Sequence, residues 1–296
     1  LRTESVDPRY ADLDRWPTED LVRAMFEAQL AAVAAIGPAL TELSRAIDAA
    51  AGRLAVGGRI AYAGAGTSAR IGVQDGAELP PTFDWPHDRL LFLVAGGMAA
   101  LTLSIEGAED DAAAGRAAVS EAAVGPADVV IGVAASGATP YTRAAVQAAR
   151  AAGALTIGLA NNPGAPLLAD ADHGLLATTG AEVVAGSTRM KAGTAQKVLL
   201  NLLSTGIMVR LGRVHGGLMV AVQARNAKLR RRAQAMVATL AGCGPEAAEA
   251  ALTATGWQVR PAVLVARGLA PDEAARRLAA TGGRLRPAIE GEAPRG

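Results

Sequence analysis

Two short apolar runs, each ending in small residues and hydroxyls, constrain this chain more than any other feature. Ile60–Ala63 leads into Gly64-Ala65-Gly66-Thr67-Ser68, and Val129–Ala135 leads into Ser136-Gly137-Ala138-Thr139-Pro140. An unbroken apolar run bounded by such residues reads as a buried parallel strand that opens into a helix. Gly64 and Gly66 permit a tight turn with close ligand approach, and Thr67 or Ser68 can cap the helix that follows. In the second copy Thr139 is placed as the N-cap, with Pro140 at the first helical position, where its missing N–H costs nothing. The unpaired N–H groups of each helix start, at the positive end of the dipole, make a seat for an oxyanion. Two such seats side by side suggest a phosphorylated small molecule.

Further apolar runs at Leu90–Ala95, Leu155–Ala160 and Leu175–Thr178 bring the strands to five. Helical segments are expected between them at Ala69–Gln74, Ala99–Ile105, Tyr141–Ala152 and Pro166–Ala169. The fold class is therefore α/β, a doubly wound five-stranded parallel sheet, and the order 2-1-3-4-5 places strands one and three side by side at the switch point where ligands bind. Both hydroxyl turns then face one crevice. Residues 1–55 read as flanking N-terminal helices, with Leu21, Met25, Leu30, Val33 and Ile36 and then Leu40, Leu43 and Ile47 at helical spacing, packing on the body or on a second subunit. Residues 56–216 form the sheet domain and residues 217–296 a C-terminal helical tail. A long helix runs from Ser187 to about Arg210, and others are expected over Leu218–Leu240, Pro245–Ala254, Val259–Arg267 and Pro271–Ala280. Ala288–Gly296 is expected to be frayed.

Composition narrows the function classes. The chain has 296 residues, 51% hydrophobic and 19% charged, enough for a large core in one or two domains. A formal charge of +1 supplies no global field for nucleic acid or an anionic membrane, so neither is an expected partner. The basic run Lys228–Arg232 reads as a solvated helix face. The single cysteine, Cys243, fits a reducing compartment, and the start lacks a signal-peptide pattern, so a cytoplasmic protein is expected. No uninterrupted stretch of about 18 apolar residues is present to span a bilayer. His87, His173 and His215 show no metal-ligand spacing, so neither metal nor cofactor is expected.

Two carboxylates stand out. Glu78 lies before Leu79-Pro80-Pro81, where the prolines stiffen the backbone, and Glu109 lies in Glu106-Gly107-Ala108-Glu109-Asp110-Asp111. A pair of carboxylates in unlike environments can serve as acid and base. Glu106, Asp110 and Asp111 read as solvated charges around a turn.

The stretches GAGTSARIGVQDGAELPPTF, IEGAEDD, GVAASGATPYTRAA and GAEVVAGSTRMKAGTAQKVLLNLLSTGIMV resemble N-acetylmuramic acid 6-phosphate etherases, from about Thr3 to Ile289. The resemblance implies a sugar isomerase (SIS) domain acting as a homodimer on a sugar phosphate in cell-wall amino-sugar recycling. It implies cleavage of the lactyl ether, with Glu78 as proton donor to lactate and Glu109 as the second acid/base group, and phosphate binding at the hydroxyl turns by Gly66, Thr67, Ser68, Ser136, Gly137 and Thr139. Glu182, in GAEVV, is a secondary candidate for contacting a sugar hydroxyl or aiding ring opening, or else a turn residue before the helix. Ala69 stands where many relatives have glycine, and Glu27–Ala35 departs from their usual pattern. Two other readings stay open: a non-catalytic sugar-phosphate sensor of the kind the glucokinase regulatory protein exemplifies, and an aldose–ketose phosphate isomerase. A transcriptional regulator would need a basic helix-turn-helix, which residues 1–55 lack.

Overall fold

The structure is a computed structural model that describes residues 1–103, 105–222, 224 and 226–291. Two compact units are present, Leu1–Gly76 with Asp88–Thr205, and Ala77–His87 with Gly206–Gly296. Chain order begins with α1 (Thr18–Ala34), α2 (Leu40–Ala55), β1 (Ile60–Gly64), α3 (Gly66–Ala77) and α4 (Leu79–Phe83). It continues with β2 (Leu90–Val94), α5 (Ala112–Glu121), β3 (Val129–Val133), α6 (Pro140–Ala151), β4 (Leu155–Ala160), α7 (Pro166–Asp170), β5 (His173–Leu176) and α8 (Lys191–Arg210).

The expected doubly wound sheet is present in the first unit: five parallel strands in the order β2-β1-β3-β4-β5. Every residue of β1, β3 and β4 is buried, because helices cover both faces, and this explains why those strands read as uninterrupted apolar runs. On one face Ala61, Ala63 and Val130 pack with Val119, Ala145 and Ala149 of α5 and α6. On the other, α2 lies over β3, β4 and β5 and buries Leu43, Ala46, Ala50 and Leu54. In register, Gly64 pairs with Val94 on one side and Val133 on the other, so the turns after β1 and β3 leave the sheet as neighbours.

Within Thr18–Ala55 an 18-residue window reaches a mean hydropathy of 1.3, and the segment would by length suit a membrane span. It forms two helices separated by a 3₁₀ turn at Gly37–Ala39. Where α2 is buried along one side, α1 leaves Val22, Phe26, Leu30 and Val33 exposed at helical spacing.

Two polar anchors hold the sheet's switch point. Asp75 of α3 is buried and accepts from Tyr62 Oη of β1 at 2.7 Å and from Asn201 Nδ2 and Ser204 Oγ of α8 at 2.6 and 3.1 Å. Burial, then the adjacent Asp75 charge, pushes the Tyr62 phenol well above its usual range.

At the base of β1 and β3, Asp128 accepts from the Arg59 guanidinium at 2.6 Å, from the Arg59 N–H at 2.8 Å and from the Gly125 N–H at 3.0 Å. Burial opposes the charge, but these donors outweigh it and hold the carboxyl below the usual carboxylate range. A depressed folded-state pKa contributes stability above the unfolded value, near 3.9, and that stability is lost as pH falls through the folded value. Asp128→Asn is therefore expected to lose about 2 kcal/mol at pH 7. Chemical denaturation should show the gap between variant and wild type closing below about pH 4; an equal gap at pH 7 and pH 3 would contradict the assignment.

The second unit, by itself, gathers α9 (Ala227–Ala241), α10 (Pro245–Ala254), α11 (Val259–Ala266), α12 (Pro271–Ala280) and α13 (Leu285–Glu290) around Met236, Val237, Leu252, Val263 and Leu264. Arg213 donates to the carbonyls of Phe83 and Asp84 and lies 5.9 Å over the Trp85 ring, fastening residues 83–85 to this unit.

Several boundaries differ from expectation. The fifth strand is His173–Leu176 rather than Leu175–Thr178, since its pairing with β4 ends at Ala160 opposite Leu176. In place of a helix over Ala99–Ile105 there is a 3₁₀ turn at Met98–Leu101, and Ser104 lies outside the described residues. The helix expected over Leu218–Leu240 starts only at Ala227, where Asn226 caps it by accepting from Leu229 N–H; Gln223 and Arg225 lie outside the described residues. The helix expected from Ser187 starts at Lys191. Ala288–Glu290 belongs to α13, and residues 292–296 lie outside the described residues.

Candidate active site

The turns after β1 and β3 open on one cavity of about 490 Å³. Gly66, Thr67, Ser68, Ser136, Thr139 and Glu109 line it together. Gly66, at φ +52°, is the first residue of α3, so Thr67 and Ser68 lie inside the helix rather than capping it. Among the described residues, the N–H groups of Gly66, Thr67 and Ser68 find no acceptor, which leaves a row of donors at the positive end of α3. Thr139 is the N-cap of α6 with Pro140 at its first position, as the sequence indicates, and its hydroxyl is not spent on capping. Gly137 lies buried behind the lining at φ +65°; a Cβ there would come within 2.4 Å of the Ala165 Cβ, so only glycine fits the turn. Ser136 Oγ accepts from Ala138 N–H at 3.1 Å, which leaves its hydrogen free for a ligand.

Ser68 is oriented by a chain of amides. The Ala177 carbonyl can only accept, so Asn161 Nδ2 donates to it at 3.1 Å; Asn161 Oδ1 then accepts from Gln196 Nε2 at 2.9 Å, and Gln196 Oε1 accepts from Ser68 Oγ at 3.1 Å. The Ser68 hydrogen therefore points inward. Among the sequence candidates, Thr67, Thr139 and Ser136 have hydroxyl hydrogens that can turn to an anion, and Ser68 contributes its backbone N–H.

Glu109 sits exposed in a 3₁₀ turn at Ala108–Asp110, after Gly107 at φ +69° and just ahead of α5, whose N-cap Asp111 accepts from Ala114 N–H at 2.8 Å. It also lines a second cavity of about 350 Å³ that shares Ala65 and Gly66 with the first and adds Glu106 and Arg70. Arg70 is committed to the carbonyls of Leu101 and Ala100. Among the described residues, no lysine or arginine lines the first cavity, and its charged side chains are Glu4, Glu109 and Asp110. An anion there depends on helix-end amides and hydroxyls, and the carboxylates remain available for proton transfer.

Two carboxylate candidates stand apart from the lining. Glu78 is exposed in the turn between α3 and α4 and is not among the residues lining either cavity. Glu182 is buried, with its two carboxylate oxygens accepting from the N–H groups of Lys191 and Ala192, each at 2.9 Å. That is a carboxylate satisfying the start of α8, the turn role the sequence left open for it. Burial depresses the Lys191 ammonium, against the opposing pull of Glu182. Glu4 and Thr188, which the sequence does not single out, also line the first cavity. Nothing near Glu4 in sequence marks it, because the contacts that dock residues 2–3 come from Asn162 and Gly186. Among the described residues, no group of three His, Cys, Asp or Glu side chains is placed to hold a metal ion.

The chain matches the glucokinase regulatory protein N-terminal SIS domain over residues 42–150 and the SIS domain over residues 100–205. A protein of Bacteroides fragilis, described as a candidate phosphosugar isomerase involved in capsule formation, shares the fold. It has a TM-score of 0.52 at 20% identity, over 68% of this chain and 99% of that one. A Deinococcus radiodurans N-acetylmuramic acid 6-phosphate etherase is 52% identical over 266 residues, 90% of this chain and 87% of its own length. A Streptomyces coelicolor protein of the same name is 49% identical over 265 residues, 90% of this chain and 85% of its own. With identity of this order over nine-tenths of its length, the chain belongs to the N-acetylmuramic acid 6-phosphate etherase family of enzymes.

Proposed function

We propose that this protein cleaves the D-lactyl ether of N-acetylmuramic acid 6-phosphate, consuming water and yielding N-acetylglucosamine 6-phosphate and D-lactate. The observation that carries the reading is the first cavity itself: two helix starts rich in unpaired donors, with no basic side chain among the described lining residues, share it with Glu109. The donors suit the 6-phosphate, and the carboxylate suits a proton transfer at the far end of the sugar.

The chemistry follows from the substrate. Ring opening exposes an aldehyde at C1, which acidifies the C2 proton and puts the ether oxygen β to the carbonyl. A carboxylate removes the C2 proton, the C3–O bond breaks, and a carboxylic acid delivers a proton to the departing lactyl oxygen. Water then adds at C3 while a proton returns to C2, so each acid/base group ends as it began. Glu109 and Glu78 carry these transfers in the proposal, with Glu78 as donor to lactate.

The protein acts as a homodimer in the cytoplasm, within amino-sugar recovery from peptidoglycan. The exposed apolar stripe of α1 supports a second copy as its cover, and the unpaired Cys243 supports a reducing compartment. Glu78 is not among the residues that line the cavity, which supports a shared site. In the proposal a second copy brings its Glu78 to the cavity.

Incubation of the purified protein with N-acetylmuramic acid 6-phosphate should release D-lactate and N-acetylglucosamine 6-phosphate in equal amounts. Sugar phosphate bound without lactate would select the sensor, and a ketose phosphate product would select the isomerase.

A further inference from the structure

The geometry points to Glu4 as a specificity-determining residue of this site, accepting a hydrogen bond from the C4 hydroxyl of the sugar; the inference rests on the proposed substrate. Residues 2–4 are tied down thoroughly. Asn162 Oδ1 accepts from the N–H groups of Arg2 and Thr3 at 2.8 and 3.3 Å, and Asn162 Nδ2 donates to Thr3 Oγ1 at 3.0 Å. From the opposite side, Gly186 N–H donates to the Thr3 carbonyl at 3.2 Å. Thr3 is wholly buried as a result.

The same clamp sets Glu4 in register with the phosphate turn. Asn162 Nδ2 also donates to the Ala135 carbonyl at 2.9 Å, one residue before Ser136, so a single amide fixes both the strap and the anion-binding loop. Gly186 leaves room for the carboxylate, since a Cβ there would come within 2.9 Å of Glu4 Oε2. Glu4 thus lines the cavity from an element separate from both hydroxyl turns and from Glu109.

Chemistry narrows what it can meet. A carboxylate accepts hydrogen bonds and repels anions, so the phosphate and the lactyl carboxylate are excluded. In the substrate, C3 and C6 carry substituents, the anomeric hydroxyl exists only in the closed ring and the C5 hydroxyl only in the open chain. The C4 hydroxyl is the one that stays a donor in both forms. A polar group built to meet a hydroxyl discriminates strongly against an analogue that lacks it.

The test compares wild type and Glu4→Gln on N-acetylmuramic acid 6-phosphate and its 4-deoxy analogue. Wild type should prefer the natural substrate in kcat/KM by about tenfold or more. Glu4→Gln should lose about tenfold on the natural substrate and show little further loss on the analogue, as expected when two changes remove one interaction. Its thermal midpoint should not move, because the Glu4 side chain is exposed. Thr3→Val, which removes the hydroxyl held by Asn162, should raise KM on the natural substrate while leaving phosphate inhibition intact. A Glu4→Gln enzyme that matches wild type, or one that keeps full discrimination against the analogue, overturns the assignment. A wild type that releases no lactate would overturn the proposed activity instead, so the two failures are separable.

Discussion

Glu109→Gln and Glu78→Gln should each lower kcat on N-acetylmuramic acid 6-phosphate by about 10²–10⁴-fold, the usual worth of one positioned acid/base group. The loss should appear mainly in kcat, because neither carboxylate belongs to the phosphate seat. Both side chains are exposed, so thermal midpoints should stay within the range of neutral surface substitutions, roughly ±0.5 kcal/mol in stability. The two variants should also still bind sugar phosphate, which separates lost chemistry from lost binding. Lactate release from Glu78→Gln at the wild-type rate would remove Glu78 from the mechanism and leave the substrate assignment standing. The same outcome for Glu109→Gln would be more damaging, because Glu109 is the carboxylate that shares a cavity with both helix starts.

Mixing the two inactive variants should restore activity. In a two-fold dimer each site repeats the other's contacts. If Glu78 of one copy serves the cavity holding Glu109 of the other, a mixed dimer places both substitutions in one site and leaves its second site whole. With free exchange, half the dimers are mixed and each has one working site, so activity should reach about a quarter of wild type. If each chain supplied both groups to its own cavity, no dimer in the mixture would contain an intact pair and the mixture would stay inactive. Exchange can be verified with two differently sized tags, so a silent mixture counts directly against the shared site.

The sheet was the most legible part of the chain. β1, β3 and β4 are buried at every residue, and burial on both faces writes an unbroken apolar run that composition alone distinguishes from its surroundings. β5 is only partly buried, and there the expected strand is displaced by two residues. α5 went unread because its sequence, AAAGRAAVSE, buries only Gly115 and Val119 and so carries almost no amphipathic pattern.

In the site, the glycine and hydroxyl turns were readable because close backbone approach has a local signature. The polarity of Ser68 was not, since it depends on Gln196 and Asn161, brought near by the sheet and α8 from far along the chain. Glu109 was separable from Glu106, Asp110 and Asp111 only through the family resemblance; in the structure it is distinguished from the others by lining both cavities. Glu4 carries no local signature at all, for its setting comes from Asn162, across nearly the whole sheet domain in sequence.

The most direct test of the account follows the oxygen atoms. Turnover in ¹⁸O-labelled water should place the label on C3 of N-acetylglucosamine 6-phosphate and leave the lactate unlabelled, because elimination breaks the sugar C3–O bond and water replaces that oxygen. Label found in lactate, with the C3 oxygen of the sugar unexchanged, would show cleavage on the lactyl side and contradict the mechanism assigned to this cavity.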